Sequence, residues 1–163
     1  MFKLFKAKEV STELAAPITG QFVPLDQVAD PVFAQKMAGD GFGVQPTSDT
    51  VCSPVSGTVT NVFKTKHALG IQTDSGLEIL VHIGLDTVEL AGKPFEILVE
   101  EGQSVSTTTQ LAKVDFEMIR QSQKAETVLV LVTNMDCVKT LTFEKEADAT
   151  VNAAETVGTV ITQ

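Results

Sequence analysis

The chain has 163 residues, 43% of them hydrophobic and 20% charged, with 11 glycines and 6 prolines. That composition fits one globular domain and excludes disordered and fibrous classes. A net charge of −9 and the absence of Trp and Tyr exclude a nucleic-acid surface, which needs cationic grooves and stacking aromatics.

No apolar run approaches the roughly 18 residues of a membrane span, and the start lacks the apolar stretch of a signal peptide. Cys52 and Cys137 are too far apart in sequence for a metal knuckle and too few for a disulfide framework, so a reducing cytosol suits them. Residues 1–12 are expected to form a flexible tail and 13–163 a single domain. Within the tail, Lys3, Lys6 and Lys8 alternate with Phe2, Leu4 and Phe5, a pattern able to touch an anionic membrane surface. The initial Met, and an end soon after the last strand, give the expectation of a free-standing chain.

Along the chain, β-type runs dominate: 58–63, 69–73, 77–85, 95–100 and 127–134 are rich in Val, Ile, Leu, Thr and Phe and are separated by Gly, Pro, Asp and Ser. Strands at this spacing predict an all-β fold, an antiparallel sandwich or flattened barrel. Two very short helices interrupt it. One follows Asp30 as cap with Pro31 at its first position and is ended by Gly39; the other follows Asp115, with Phe116 and Ile119 on one side. Ala16-Pro17-Ile18-Thr19-Gly20 resembles Ser53-Pro54-Val55-Ser56-Gly57, which reads as two similar turns at equivalent ends of a sandwich.

The chain has only two histidines, and their placement is informative. Alternation puts Leu77, Ile79, Val81 and Ile83 on the core face, so His82 shares the other face with Glu78 and Leu80. Asp74-Ser75-Gly76 is the turn between two β runs, and a hairpin centred between Asp74 and Ser75 sets His67 opposite His82, with Cβ atoms about 5 Å apart. A slip of one residue puts them on opposite faces. Thr65 shares parity with His67, and Asp86 follows His82 beyond a glycine at which the chain can turn back. Three chemistries are open to such a group. It can ligate Zn²⁺ through His67, His82 and a carboxylate, act as an acid–base pair, or form a phosphohistidine whose neighbours fix its tautomer and bind the phosphoryl oxygens. The lack of a Gly-rich Lys loop argues against a nucleotide-dependent kinase.

The segment from Gly76 through His82, Gly84 and Asp86 to Val88 resembles the active-site segment of the glucose-type enzyme IIA domains of the bacterial phosphoenolpyruvate-dependent sugar phosphotransferase system. Ala16-Pro17 to Gly20, Asp30 to Phe33, Gly39-Asp40-Gly41, Ser53-Pro54 to Gly57, Thr65 to Ala68, Glu101-Gly102-Gln103 and Thr133-Asn134 extend the resemblance over nearly the whole chain. It implies a cytoplasmic β-sandwich that takes a phosphoryl group from the phosphocarrier HPr and passes it to the cysteine of a IIB domain in a membrane sugar permease. That passage would bring it transiently to the inner face of the membrane. By motif, His82 is the phosphorylated residue, His67 the neighbour that stabilises the phosphoryl group, Thr65 the hydroxyl orienting that neighbour, and Asp30 and Asp86 the flanking acids. Val32, Phe33, Met37, Ala38, Phe63, Leu69 and Leu80 match an apolar docking ring, although Phe63 and Leu69 read more simply as core.

No cofactor is required for such a step. A second expectation is a regulatory binding protein whose phosphorylation state controls other proteins, with Zn²⁺ held by His67 and His82 in a partner complex. A monomer is expected. Val99 to Val105 also evokes a biotinyl-type carrier, but no Met-Lys-Met hairpin tip is present. The sequence departs from the family's turns at Thr107-Thr108-Thr109 and Ala153-Ala154-Glu155, where glycine is usual.

Overall fold

A computed structural model describes residues 9–163. The amphipathic segment with Lys3, Lys6 and Lys8 lies outside the described residues. In chain order the elements are β1 (Val10–Ala15), β2 (Gly20–Pro24), α1 (Pro31–Ala34), β3 (Asp40–Pro46), β4 (Thr50–Cys52), β5 (Gly57–Val62), β6 (Ala68–Gln72), β7 (Glu78–Ile83), β8 (Phe95–Ile97), β9 (Ser104–Val105), β10 (Gln110–Val114), α2 (Phe116–Gln121), β11 (Val128–Val132), β12 (Val138–Phe143), β13 (Thr150–Val151) and β14 (Thr156–Thr162). The all-β expectation holds. The first strand starts at Val10, paired with Thr162, so residues 10–12 belong to the domain rather than to the expected tail.

Eight strands form one antiparallel sheet in the order β13-β2-β3-β11-β7-β6-β5-β9. Two three-stranded sheets, β1-β14-β12 and β4-β10-β8, supply the opposing layer. Leu14, Val51, Leu111, Val157 and Val160 from the small sheets join Phe22, Phe42, Ile71, Val81 and Val130 of the large one in a single buried core. Each such side chain contributes about 1.5–3 kcal/mol through the water it leaves. Phe22 and Phe42 stack at 5.5 Å, and Phe143 meets both.

The outer face of the large sheet matters most for function. Every residue of β11, VLVLV, is buried, because Leu129 and Leu131 on its outer side are covered. Leu25, Val28, Phe33 and Ala38 of the segment around α1 pack there with Leu80 and Leu85. Asp30 caps α1 by accepting from the Val32 N–H at 2.9 Å, and Pro31 opens the helix as the sequence predicts. The helix ends earlier than expected, at Ala34, because Lys36 already takes the left-handed conformation that closes it; Gly39 follows at φ 131°.

The two Pro-to-Gly turns clasp each other. The Ala15 N–H donates to the Pro54 carbonyl at 2.9 Å, and the Cys52 N–H donates to the Pro17 carbonyl at 2.6 Å. Gly20 and Gly57 each open a strand where an added Cβ would lie 2.0 and 2.3 Å from a facing carbonyl oxygen. They are equivalent turns, as read from sequence.

Candidate functional site

His82 sits near the end of β7 on the outer face, as its parity requires, while Leu77, Ile79, Val81 and Ile83 are buried in the core. The hairpin register differs from the expected one. Ala68, not His67, is the cross-strand partner of His82, and the pairing runs through Gly70 and Leu80 to Gln72 and Glu78. The reason is the turn. Thr73 and Leu77 close a loop of three residues, Asp74-Ser75-Gly76, in which Gly76 takes φ 92° and absorbs one more residue than a two-residue turn holds.

His67 nevertheless reaches its partner. It lies one residue before β6, directly after Lys66 in the left-handed region, so it is free of the strand's alternation. Its carbonyl accepts from the Ile83 N–H at 2.7 Å, which ties it to the end of β7. The two rings stand at 82° with centroids 5.0 Å apart. Phe33 flanks His82 at 5.0 Å, and Phe63 flanks His67 at 5.4 Å.

Each imidazole has one nitrogen committed. His82 Nδ1 lies 2.7 Å from the Gly84 carbonyl oxygen, an acceptor only, so Nδ1 carries the proton and Nε2 the lone pair. His67 Nδ1 lies 2.6 Å from the Thr65 hydroxyl; the two meet, as the sequence suggests, but across the turn at Lys66 rather than through strand parity. When Thr65 donates, His67 presents an Nε2–H as a donor. Burial, and next the neighbouring His67, push the His82 pKa down to about 4; the Gly84 carbonyl, Asp30 and Asp86 act in the opposite sense. Burial also lowers the pKa of His67. His82 is therefore neutral at pH 7, with its Nε2 lone pair unprotonated.

Asp30 and Asp86 line one shallow cleft of about 260 Å³ together with Pro31, Leu85 and Lys124. Asp86 adopts φ 59°, turning the chain back after Gly84. The predicted apolar ring divides. Val32 and Met37 are exposed, at 47% and 71%, and Phe33, Ala38, Phe63 and Leu80 are half-buried. Leu69 is fully buried in the main core and leaves the ring, because in β6 it faces inward with Ile71. Leu80 is less open than its parity suggests, since the segment around α1 covers part of it. The Gly84 carbonyl is the participant that sequence reasoning missed; the His-x-Gly spacing was its only signal. A separate cleft of about 820 Å³, lined by Asp49, Lys113 and Arg120, contains neither histidine.

Among the described residues, no three or more of His, Cys, Asp and Glu are grouped as a metal site. His67 and His82 would bring two ligands, fewer than the three a catalytic zinc takes from its protein. No helix among the described residues is long and apolar enough to cross a membrane.

A neutral histidine with one lone pair presented beside a second imidazole has the chemistry to accept a phosphoryl group. The sequence profile of the phosphoenolpyruvate-dependent sugar phosphotransferase system, EIIA 1, matches residues 12–138. The chain belongs to this family. It is thus a phosphotransferase component, a phosphoryl carrier in sugar transport.

Among its relatives is the "PTS system glucose-specific EIIA component" of Staphylococcus epidermidis, 48% identical over 145 residues that cover 87% of each chain. The "PTS system glucose-specific EIICBA component" of Streptococcus pneumoniae is 51% identical over 138 residues, 85% of this chain. This chain spans only 19% of that protein's length. The solved glucose permease IIA from Mycoplasma capricolum superposes with a TM-score of 0.79 at 37% identity, over 96% of this chain and 99% of its own.

Proposed function

We propose that His82 Nε2 is the phosphoryl acceptor, that HPr is the donor, and that the cysteine of a sugar-specific IIB domain receives the group. The committed Nδ1 of His82 carries this reading. The Nε2 lone pair attacks the phosphorus of the donor's phosphohistidine, the new N–P bond forms as the donor's N–P bond breaks, and the donor imidazole leaves with that electron pair. Because Nδ1 keeps its proton, the phosphorylated ring becomes cationic. The Gly84 carbonyl then accepts a charge-assisted hydrogen bond, and Asp30 and Asp86 favour the positive ring. The reverse polarity applies when a thiolate attacks: the ring leaves neutral and no external base is needed.

His67 has a separate task. With Thr65 donating to its Nδ1, the Nε2–H of His67 is available to a phosphoryl oxygen on His82, stabilising charge as the group moves on. Val32, Phe33 and Met37 offer an apolar surface beside the acids, fitted to brief contact with a cationic partner and to keeping water from the labile N–P bond. The glucose-specific names of the relatives support glucose as the sugar of the partner permease, and a cytoplasmic site of action follows from such partners. Zn²⁺ bridging to a partner would need His67 in its other tautomer, with Nδ1–H donating to Thr65, and a partner that supplies the remaining ligands.

The test is phosphoryl transfer from phosphoenolpyruvate through enzyme I and HPr, followed by a glucose-specific IIB domain, read by phosphorus NMR. Wild type and His67→Gln should be labelled and His82→Gln not, with His67→Gln slow in the onward step. No label on wild type would overturn the reading.

A further inference from the structure

The acceptor nitrogen of His82 is defined by the peptide that holds the other nitrogen, and that peptide is pinned on all sides. The Gly84 carbonyl accepts from His82 Nδ1, while the N–H of the same peptide, that of Leu85, donates to the Ala125 carbonyl at 2.9 Å. The preceding peptide is held likewise. Its N–H, that of Gly84, donates to the Thr127 carbonyl at 2.9 Å, and its carbonyl, that of Ile83, accepts from the Thr87 hydroxyl at 2.5 Å. Of these four anchoring contacts, three are backbone or ring groups meeting backbone and one comes from a hydroxyl side chain.

Thr87 is fully buried, an unusual place for a hydroxyl unless it is bonded. Its methyl group presses on the same glycine: a Cβ added at Gly84 would lie 2.4 Å from Thr87 Cγ2. Gly84 itself takes φ 78°, open mainly to glycine. A residue able to rotate this freely needs external restraints to keep its carbonyl aimed at one atom, and Thr87 adds the one made by a hydroxyl, on the Ile83 carbonyl just before it, with its methyl against the glycine.

We infer that Thr87 is a positioning residue for phosphoryl acceptance, fixing the Ile83–Gly84 peptide and through it the aim of the Gly84 carbonyl, so that His82 holds its proton on Nδ1 and offers Nε2. It touches neither imidazole in the contacts described and acts through the backbone. The inference rests on His82 being the acceptor. Without the restraint from Thr87, the Ile83–Gly84 peptide turns about its remaining bond to Thr127, the Gly84 carbonyl tilts on its Leu85–Ala125 anchor, the Nδ1–H···O bond weakens, and the tautomer with its proton on Nε2, which cannot attack, gains population.

The test uses Thr87→Val, which keeps the branched shape without the hydroxyl, and Thr87→Ser, which keeps the hydroxyl. The tautomer of His82 is read by nitrogen-15 NMR of the unphosphorylated protein, and the rate of labelling from phospho-HPr is read alongside. Thr87→Val should show the Nε2–H tautomer of His82 and label about two- to tenfold more slowly, the range set by one hydrogen bond. Thr87→Ser should restore both towards wild type. A purely structural role would lower stability without moving the tautomer.

Folded Thr87→Val with the wild-type tautomer and rate would overturn the inference. Should Thr87→Val fail to fold, Thr87→Ala replaces it, and equal tautomers in Thr87→Ala and Thr87→Ser would overturn the inference just as well. If wild type takes no label, the acceptor reading fails, while the tautomer spectra still decide whether Thr87 sets the proton's place.

Discussion

The Thr65 hydroxyl lies 2.6 Å from Nδ1 of His67, across Lys66 in its left-handed conformation, and His67 in turn stands at 82° to His82. This single bond decides which nitrogen of His67 faces its partner. Replacing Thr65 by Val keeps the branched shape and removes the hydroxyl. Acceptance of the phosphoryl group by His82 should continue, while transfer to the IIB cysteine should slow about two- to tenfold. Stopped-flow or quench-flow measurement of the two half-reactions separates these outcomes, and equal slowing of both would count against an orienting role.

Stability should fall with acidity in a particular window. The folded-state pKa of His82 is about 4, below the ordinary value of 6.5, so between those two limits the unfolded chain binds a proton that the folded one refuses. The contribution is full above about pH 6.5 and is lost as pH falls towards 4. His67 shifts in the same direction. Urea midpoints for wild type should therefore drop across that window more steeply than those of His82→Gln, and parallel curves would show that His82 does not carry the effect.

Asp86→Asn isolates charge from shape, because asparagine tolerates the left-handed φ of 59° found there. The fold should be unchanged. Association with phospho-HPr should slow roughly threefold at low ionic strength and converge with wild type at high salt, where exposed charges are screened. A difference that persists in high salt would point to a chemical rather than a steering role.

Met37 is 71% exposed, so Met37→Lys should alter stability by no more than about 0.5 kcal/mol. Binding to HPr should nevertheless weaken by about tenfold, and unchanged binding would show that this side chain is no anchor of the contact. Isothermal calorimetry against HPr gives the answer directly.

Ala154 holds φ 73°, where a Cβ is costly. Ala154→Gly removes that cost and adds some chain entropy to the unfolded state, a net gain of about 0.5–1 kcal/mol visible as a higher Tm. An unchanged or lower Tm would mean that the surrounding bonds already offset the conformation.

The sheet face of His82 was legible because parity in a strand depends only on alternation, and the caps of the two helices were legible because Asp30 and Asp115 act locally. Register was not. It depends on how many residues a turn absorbs, and Gly76 admits a three-residue loop as readily as a two-residue one. The histidines still meet because Lys66 breaks the strand before parity applies to His67. Phe63, which matches the apolar ring by motif but reads more simply as core, flanks the site because it lies just past the end of β5, in the loop that Lys66 turns. The turn Ser106–Thr109 shows another local solution without glycine: Thr109 Oγ1 accepts from the Ser106 N–H at 3.0 Å, beside the backbone bond from the Thr109 N–H to the Ser106 carbonyl.

The pairing of Val10 with Thr162 brings the first and last described strands side by side, in the layer opposite the sheet whose outer face carries His82. Both ends of the described domain therefore meet at one strand pair, in a different sheet from the one that carries His82. Such a domain can hang from a tether and swing between donor and acceptor without its own leash crossing the docking face, which suits the same fold to life as a separate chain or as one segment of a much longer transporter.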